Sequence, residues 1–386
     1  MKIGIITIHY SFITRNYGSL LQLYAMQRVL DRMSIQSALI KQLPALPPVP
    51  APPSARQKLA YYLHHPLHFL ARCARSLAPR RKTPLPPPPF DAFLEKEIHS
   101  LPPVFRPGEL HAEELDFDLY LAGSDQIWTS CEPEKLLDFA PPGKRIAYAA
   151  SAAWGKQTPE WFAHARREFP RFAAISVREK NGVDICRKAG AEKVDVVLDP
   201  TLLLDRREYG RLLEGRLPYL TAPCVLGYFL NIEDLSQLPW KQVKAVSRRM
   251  HAPLHVIPLQ GAEHCIPEKY AITPDPYQFL QAFQEASCVI TNSFHGTVFA
   301  IIMQKPFLTI LQNGHTATQN ARAFSLLEAL GLEDRIYRPE QGSMNAQLER
   351  PVNWEATERN LEALRRHSMD FLGNAIQQCT PCPRHD

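Results

Sequence analysis

The chain opens on an apolar run, KIGIITI, and passes through the polar loop HYSFITRNYGS into LLQLYAMQRVLDRM. In that last stretch Leu20, Leu23, Tyr24, Gln27, Leu30 and Arg32 trace an apolar stripe and its edges at helical spacing. A buried strand, a loop and an amphipathic helix are predicted, and the second strand SALIKQL closes a βαβ unit, the start of a doubly wound α/β domain. Alternation resumes at FDLYLAGSDQIW and continues through KRIAYAASAAW, AAISVREKNGVDICRKAG and VDVVLDPTLLL. A second series follows: CVLGYFLN, a helix near WKQVKAVSRRM, LHVIPLQ, the helix PYQFLQAFQEA, CVITNS, a helix from Gly296, PFLTIL and AFSLLEALGL. Last comes WEATERNLEALRRHSMDFLGNAI, a long amphipathic helix able to lean back on the first domain. No internal repeat is visible.

Length agrees with two domains, since 386 residues, 45% of them hydrophobic and 22% charged, exceed one usual core. We expect an N-terminal domain over 1–205, a second over 206–375 with the terminal helix, and a tail over 376–386. Residues 44–107 interrupt the first domain, holding 16 of the 35 prolines, and no acidic residue occurs from 44 to 90. This composition predicts an insertion outside the core. Within it, 56–82 carries leucines at helical spacing beside Arg72, Arg75, Arg80, Arg81 and Lys82. Such a segment can lie on an anionic membrane face, or fold as two short helices broken at Pro66.

A formal net charge of +5 is too small for a nucleic-acid binder and suits an anionic ligand. The first strand begins at once, without the pattern of a signal peptide, and no apolar run reaches membrane-spanning length, so a cytoplasmic location is expected. Of eight cysteines only Cys379 and Cys382 form a CxxC, which cannot complete a four-ligand site, so no metal is expected. GxGxxG after the first strand, GxxxxGK[ST], HExxH and GxSxG are all missing, which argues against dinucleotide, P-loop, zinc-protease and serine-hydrolase chemistry.

Seven stretches occur here in the order found in the polysaccharide pyruvyl transferases, which the chain resembles over roughly residues 3 to 338 outside the insertion. They are IGIITIHYSFITRNYGSLLQLYAMQRVL, FDLYLAGSDQIW, RIAYAAS, SVREKNGVDI, VLDPTLLL, TNSFHGTVFAIIMQKPF and NARAFSLLEALGLEDRI. The resemblance implies two Rossmann-like domains in a glycosyltransferase-B-like arrangement. It also implies phosphoenolpyruvate as donor substrate, with no cofactor, and a saccharide or lipid-linked saccharide as acceptor of a pyruvate ketal.

That chemistry needs cations for the donor's phosphate and carboxylate and an acid for its methylene carbon. His295 suits the acid, since imidazole is the side chain best fitted to exchange protons near neutrality. It stands where CVITNS meets a helix whose Gly296 and Thr297 amides can face an anion. A histidine capping a turn inside the core is the alternative. Other branches carry Arg-Leu-His where this chain has Ser293, Phe294 and His295, so the cation must come from elsewhere. Arg178 in SVRE and Arg322 in NARAF are the candidates, ahead of Arg15 and Lys305.

In the first domain, Asn16, Tyr17 and Gly18 feed the first helix, while Gly123, Ser124, Asp125 and Gln126 lie at a strand end where ligands bind in open parallel sheets. Asp125 can deprotonate a sugar hydroxyl or cap a helix, and Tyr10, Tyr17 and Trp128 can stack on a sugar or pack in the core. Two other functions fit the same architecture. One is a nucleotide-sugar-dependent glycosyltransferase, and the other is a non-catalytic member of the family, suggested by Ser293 in place of arginine.

Overall fold

The computed structural model describes residues 1–8, 16–43, 85–152 and 157–379. Tyr10, Arg15, the basic stretch 56–82 and Cys382 lie outside them.

Seven parallel strands form the first sheet, in the order β3-β2-β1-β4-β5-β6-β7. They are β1 (Lys2–Ile6), β2 (Gln36–Gln42), β3 (Ser100–Phe105), β4 (Leu119–Ala122), β5 (Arg145–Ala150), β6 (Ala174–Val177) and β7 (Asp195–Val196). This is the 3-2-1-4-5-6 order of a Rossmann fold with one more strand at the edge. Every residue of β5 is buried, as the apolar run of a strand covered on both faces requires. Helix α1 (Tyr17–Arg32) makes the first crossover and buries Leu20, Leu21, Leu23, Leu30 and also Gln22 and Gln27.

The second sheet is parallel too, ordered β11-β10-β8-β9. Its members are β8 (Val225–Leu230), β9 (Leu254–Leu259), β10 (Cys288–Thr291) and β11 (Phe307–Thr309). Two Rossmann-like domains are therefore present.

The proline-rich stretch differs from expectation at its C-terminal end. Phe90 and Phe93 are buried, Phe93 anchors the helix α2 (Asp91–Glu97) against Tyr24 and Tyr277, and β3 pairs with β2. Residues 85–107 therefore belong to the first domain. Pro102 and Pro103 disguise β3, yet an edge strand tolerates residues that cannot donate to a ladder.

Between the domains, α3 (Pro276–Glu285) brings Phe279 flat against Tyr17, with ring centroids 4.3 Å apart. Two helices of the second domain face the site: α4 (Phe294–Ile302) and α5 (Asn320–Leu330). The terminal helix α6 (Trp354–Cys379) returns to the first domain as expected. There Arg365 Nε donates to Leu202 O at 2.7 Å, and Ser368 Oγ accepts from the Leu198 amide at 3.0 Å. The helix includes residues 376–379, with Ile376 buried, so the tail begins later than the sequence suggested. No helix among the described residues is long and apolar enough to cross a membrane.

Candidate functional site

The C-terminal end of β10 sets the geometry. Thr291 Oγ1 donates to Tyr228 O at 2.6 Å and accepts from the Ser293 amide at 3.0 Å, which turns the chain into α4. Ser293 is the N-cap, its hydroxyl accepting from the Gly296 amide at 3.3 Å. A Cβ on Gly296 would lie 2.2 Å from Thr291 Oγ1, so only glycine permits this tight entry. The helix starts two residues earlier than the sequence suggested, which places His295 in its first turn. Thr297 donates its amide to Ser293 O and shares a 2.7 Å hydrogen bond with Thr309. The amides of Gly296 and Thr297, expected to face an anion, are thus bonded within the chain, as the cap demands.

His295 points its Nε2 toward Asp199 Oδ2 at 3.4 Å, and its Nδ1 packs against Gly18. Asp199 is the hub of the site. It caps the turn after β7, its Oδ1 accepting from the Thr201 amide and hydroxyl at 3.0 and 2.6 Å. Its Oδ2 also accepts from Arg178 Nη1 at 2.5 Å. Arg178, at the end of β6, gives its other terminal nitrogen to Asp125 at 3.1 Å and directs Nε toward Glu179, 3.8 Å away. Arg178, Asp199 and Glu179 are all buried.

Burial acts on these groups unequally. It opposes ionisation of Asp199, but His295, Arg178 and Thr201 outweigh it and hold this carboxyl well below the usual range. Glu179 is pushed up by burial, only partly offset by Arg178 and by the Ser151 hydroxyl, 2.5 Å from Oε1. Burial also works against the charge of Arg178, yet the carboxylates of Asp199, Asp125 and Glu179 raise its pKa.

Arg322 differs from Arg178. Also buried, it bonds to Gln319 O at 3.2 Å and Gln319 Oε1 at 2.8 Å. With its amide oxygen turned toward the guanidinium, Gln126 accepts from both terminal nitrogens at 2.8 and 2.9 Å. These partners are neutral, and among the described residues Arg322 forms no ion pair with a carboxylate. Burial, then the charge of Arg178, lowers its pKa to about 10, which still leaves it cationic at neutral pH.

The sequence-derived candidates divide sharply. His295, Arg178, Arg322, Asp125, Gln126 and Gly18 come together. Asn16 is the N-cap of α1, accepting from the Gly18 amide at 2.9 Å and the Ser19 amide at 3.3 Å. Ser124 is fully buried beside the hub, its hydroxyl 2.9 Å from Ala149 O and 3.5 Å from Asp199 Oδ2, and its amide donates to Gln22. Tyr17 donates to Pro274 O and stacks on Phe279, and Trp128 Nε1 donates to Lys135 O at 3.1 Å. Both rings belong to the core rather than to a sugar platform. Lys305 follows the far end of α4 and is remote from His295. Asp199, Glu179, Gln319 and Phe294 were not singled out from the sequence. The signal for Asp199 was the Asp-Pro at the strand end in VLDPTLLL.

Two facing Rossmann-like domains with a buried Asp–His–Arg cluster at their junction define an α/β protein with the expected glycosyltransferase-B-like organisation. The family model described as polysaccharide pyruvyl transferase matches residues 16–313, and the chain belongs to that family. Among solved structures it is similar to a UDP-GlcNAc 2-epimerase from Neisseria meningitidis bound to UDP-GlcNAc, at 10% identity over 98% of this chain and 100% of that one, with a TM-score of 0.49. A putative UDP-N-acetylglucosamine 2-epimerase from Listeria monocytogenes gives 12% identity, 98% and 89% coverage, and a TM-score of 0.46. The glycotransferase of kitacinnamycin gives 13%, 98% and 99%, and 0.44. A search of curated proteins found no match.

Proposed function

We propose that this chain transfers pyruvate from phosphoenolpyruvate to a pair of saccharide hydroxyls, forming a pyruvate ketal on a cell-surface or exopolysaccharide glycan or its lipid-linked precursor. The observation that carries this reading is the pairing of a carboxylate-held histidine with a buried arginine that lacks a carboxylate partner among the described residues. Arg322 is a cation prepared for an anion, and the Asp199–His295 pair is a proton-transfer device beside it.

With Nε2 directed at Asp199, Nδ1 is the nitrogen left to exchange a proton with the donor. His295 gives a proton to the methylene carbon, and the cation formed at the central carbon takes the first hydroxyl, whose proton returns to His295. The carbon–oxygen bond to phosphate then breaks, and the second hydroxyl adds. Of the two hydroxyl protons, one replaces that in the new methyl group and the other leaves with phosphate. Asp125, its Oδ1 on Arg178, is the candidate base for the second hydroxyl.

A nucleotide-sugar donor is less well supported. The second sheet changes direction between β8 and β10, where open α/β sheets admit ligands. There Asn292 accepts from the Leu230 amide at 2.9 Å and donates to Leu230 O at 2.7 Å, so its amide is engaged by the backbone rather than offered to a ribose or base.

Purified protein incubated with labelled phosphoenolpyruvate and a panel of saccharides tests the proposal. Acceptor-dependent transfer of label supports it. Binding of a nucleotide diphosphate without phosphoenolpyruvate would select the glycosyltransferase, and donor binding without turnover would select a non-catalytic role.

A further inference from the structure

Phe294 occupies the middle position of Ser-Phe-His, between the cap of α4 and the histidine, and it is nearly buried. Its ring touches both arginines and the histidine of the site. The guanidinium carbon of Arg178 lies over it at 4.5 Å and that of Arg322 at 5.6 Å, while the His295 ring meets it edge-on, with centroids 5.2 Å apart and planes at 77°.

Two buried guanidiniums that share one ring, 4.5 and 5.6 Å from its centroid, should repel each other, in line with an Arg322 pKa lowered by burial first and then by the charge of Arg178. Arg178 is tied in place by Asp199 and Asp125, so the repulsion falls on Arg322, whose own hydrogen bonds go to amides alone. An aromatic face carries a negative quadrupole and attracts both cations. Leucine at the same position would fill comparable space and supply no such field.

We propose that Phe294 is a positioning residue that holds Arg322 as the cation for an anionic phosphate or carboxylate group of the donor. The aromatic ring and an arginine from α5 together take over what an arginine at position 293 supplies in the Arg-Leu-His pattern. This inference rests on the reading that the site takes an anionic donor. It adds how this chain can do so with serine at the cap.

Replacing Phe294 by 4-fluoro- and then 3,4,5-trifluorophenylalanine withdraws electron density from the ring face with little change in shape. Donor affinity, measured with phosphoenolpyruvate, should fall progressively to a total of about 3- to 10-fold, the span of a desolvated cation–π contact. KM for the donor should rise while kcat changes little. In an Arg322→Gln background the dependence of affinity on fluorination should vanish. Affinity flat across the fluorinated series, or an equal dependence with Arg322 removed, would overturn the proposal.

A ligand-free arm separates failure of this inference from failure of the donor assignment. The urea midpoint should also fall along the series, and by less in the Arg322→Gln protein. If phosphoenolpyruvate does not bind the parent but this coupling appears, the donor reading fails and the positioning role stands. If the midpoints decline identically in both backgrounds, Phe294 acts through Arg178 alone and the positioning of Arg322 is refuted.

Discussion

Alanine at position 18 would put a Cβ 2.0 Å from His295 Nδ1, 2.5 Å from Cγ and 2.7 Å from Cε1. Carbon and nitrogen atoms rest about 3.5 Å apart, so the ring would have to retreat by about 1.5 Å. Glycine to alanine inside a helix normally gains about 0.5–1 kcal/mol. Overpacking typically costs about 1–3 kcal/mol, so the net loss of stability should be about 0–2.5 kcal/mol, leaving the protein folded. The rate should respond far more strongly. A displacement of about 1 Å at a reacting group can lower turnover about 10²-fold, and the added methyl group would also cover the nitrogen assigned to proton exchange. Steady-state phosphate release alongside thermal melting measures both effects. Gly18→Ala with activity within threefold of the parent would show that His295 Nδ1 has no role at this contact.

Four further outcomes follow from the same cluster. Arg178→Ala strands the buried carboxylates of Asp199 and Asp125 and should cost about 3–5 kcal/mol in urea denaturation, so a parent-like midpoint would refute the ion-pair hub. Arg322→Ala should keep more stability but weaken phosphoenolpyruvate binding by about 1.5–3 kcal/mol in titration calorimetry, and unchanged affinity would remove Arg322 from the donor site. Ser293→Arg, which the family resemblance suggests is tolerated, should instead lower the melting temperature, because it removes a cap worth about 1 kcal/mol and forces a long cation into a buried position. Asp199 has a depressed folded-state pKa, so its stabilisation is complete above about pH 4 and lost as pH falls below that value. Asp199→Asn should therefore flatten the acid limb of stability against pH, and parallel limbs in parent and variant would contradict the assignment.

How much of this was legible in the sequence depended on distance along the chain. Strand ends and helix starts are local, so the position of His295, the loop carrying Asp125 and Gln126, and the alternating strands and helices of two Rossmann-like domains could be read from periodicity and motif order. Asp199 could not, because its partners Arg178 and His295 come from different domains and its local Asp-Pro pattern reads as a turn. Ser293 and Asn16 look like ligand groups in sequence, but the unpaired amides of the helices they begin take up their side chains. Tyr17 and Trp128 illustrate a second limit: an aromatic residue beside a predicted site loop is equally suited to the core, and only packing reveals which role it takes. β3 was hidden because its two prolines contradict strand patterning everywhere except at an edge.

The most direct test is phosphate release from phosphoenolpyruvate in the presence of a competent saccharide acceptor, compared between the parent and His295→Ala. The parent should release phosphate only when acceptor is present, and His295→Ala, still folded but with a lower melting temperature because a buried partner of Asp199 is lost, should be slower by about 10²–10⁴-fold at a temperature where both proteins are folded. Release by the variant within a few-fold of the parent would contradict the assignment of His295 as the proton donor at this cluster.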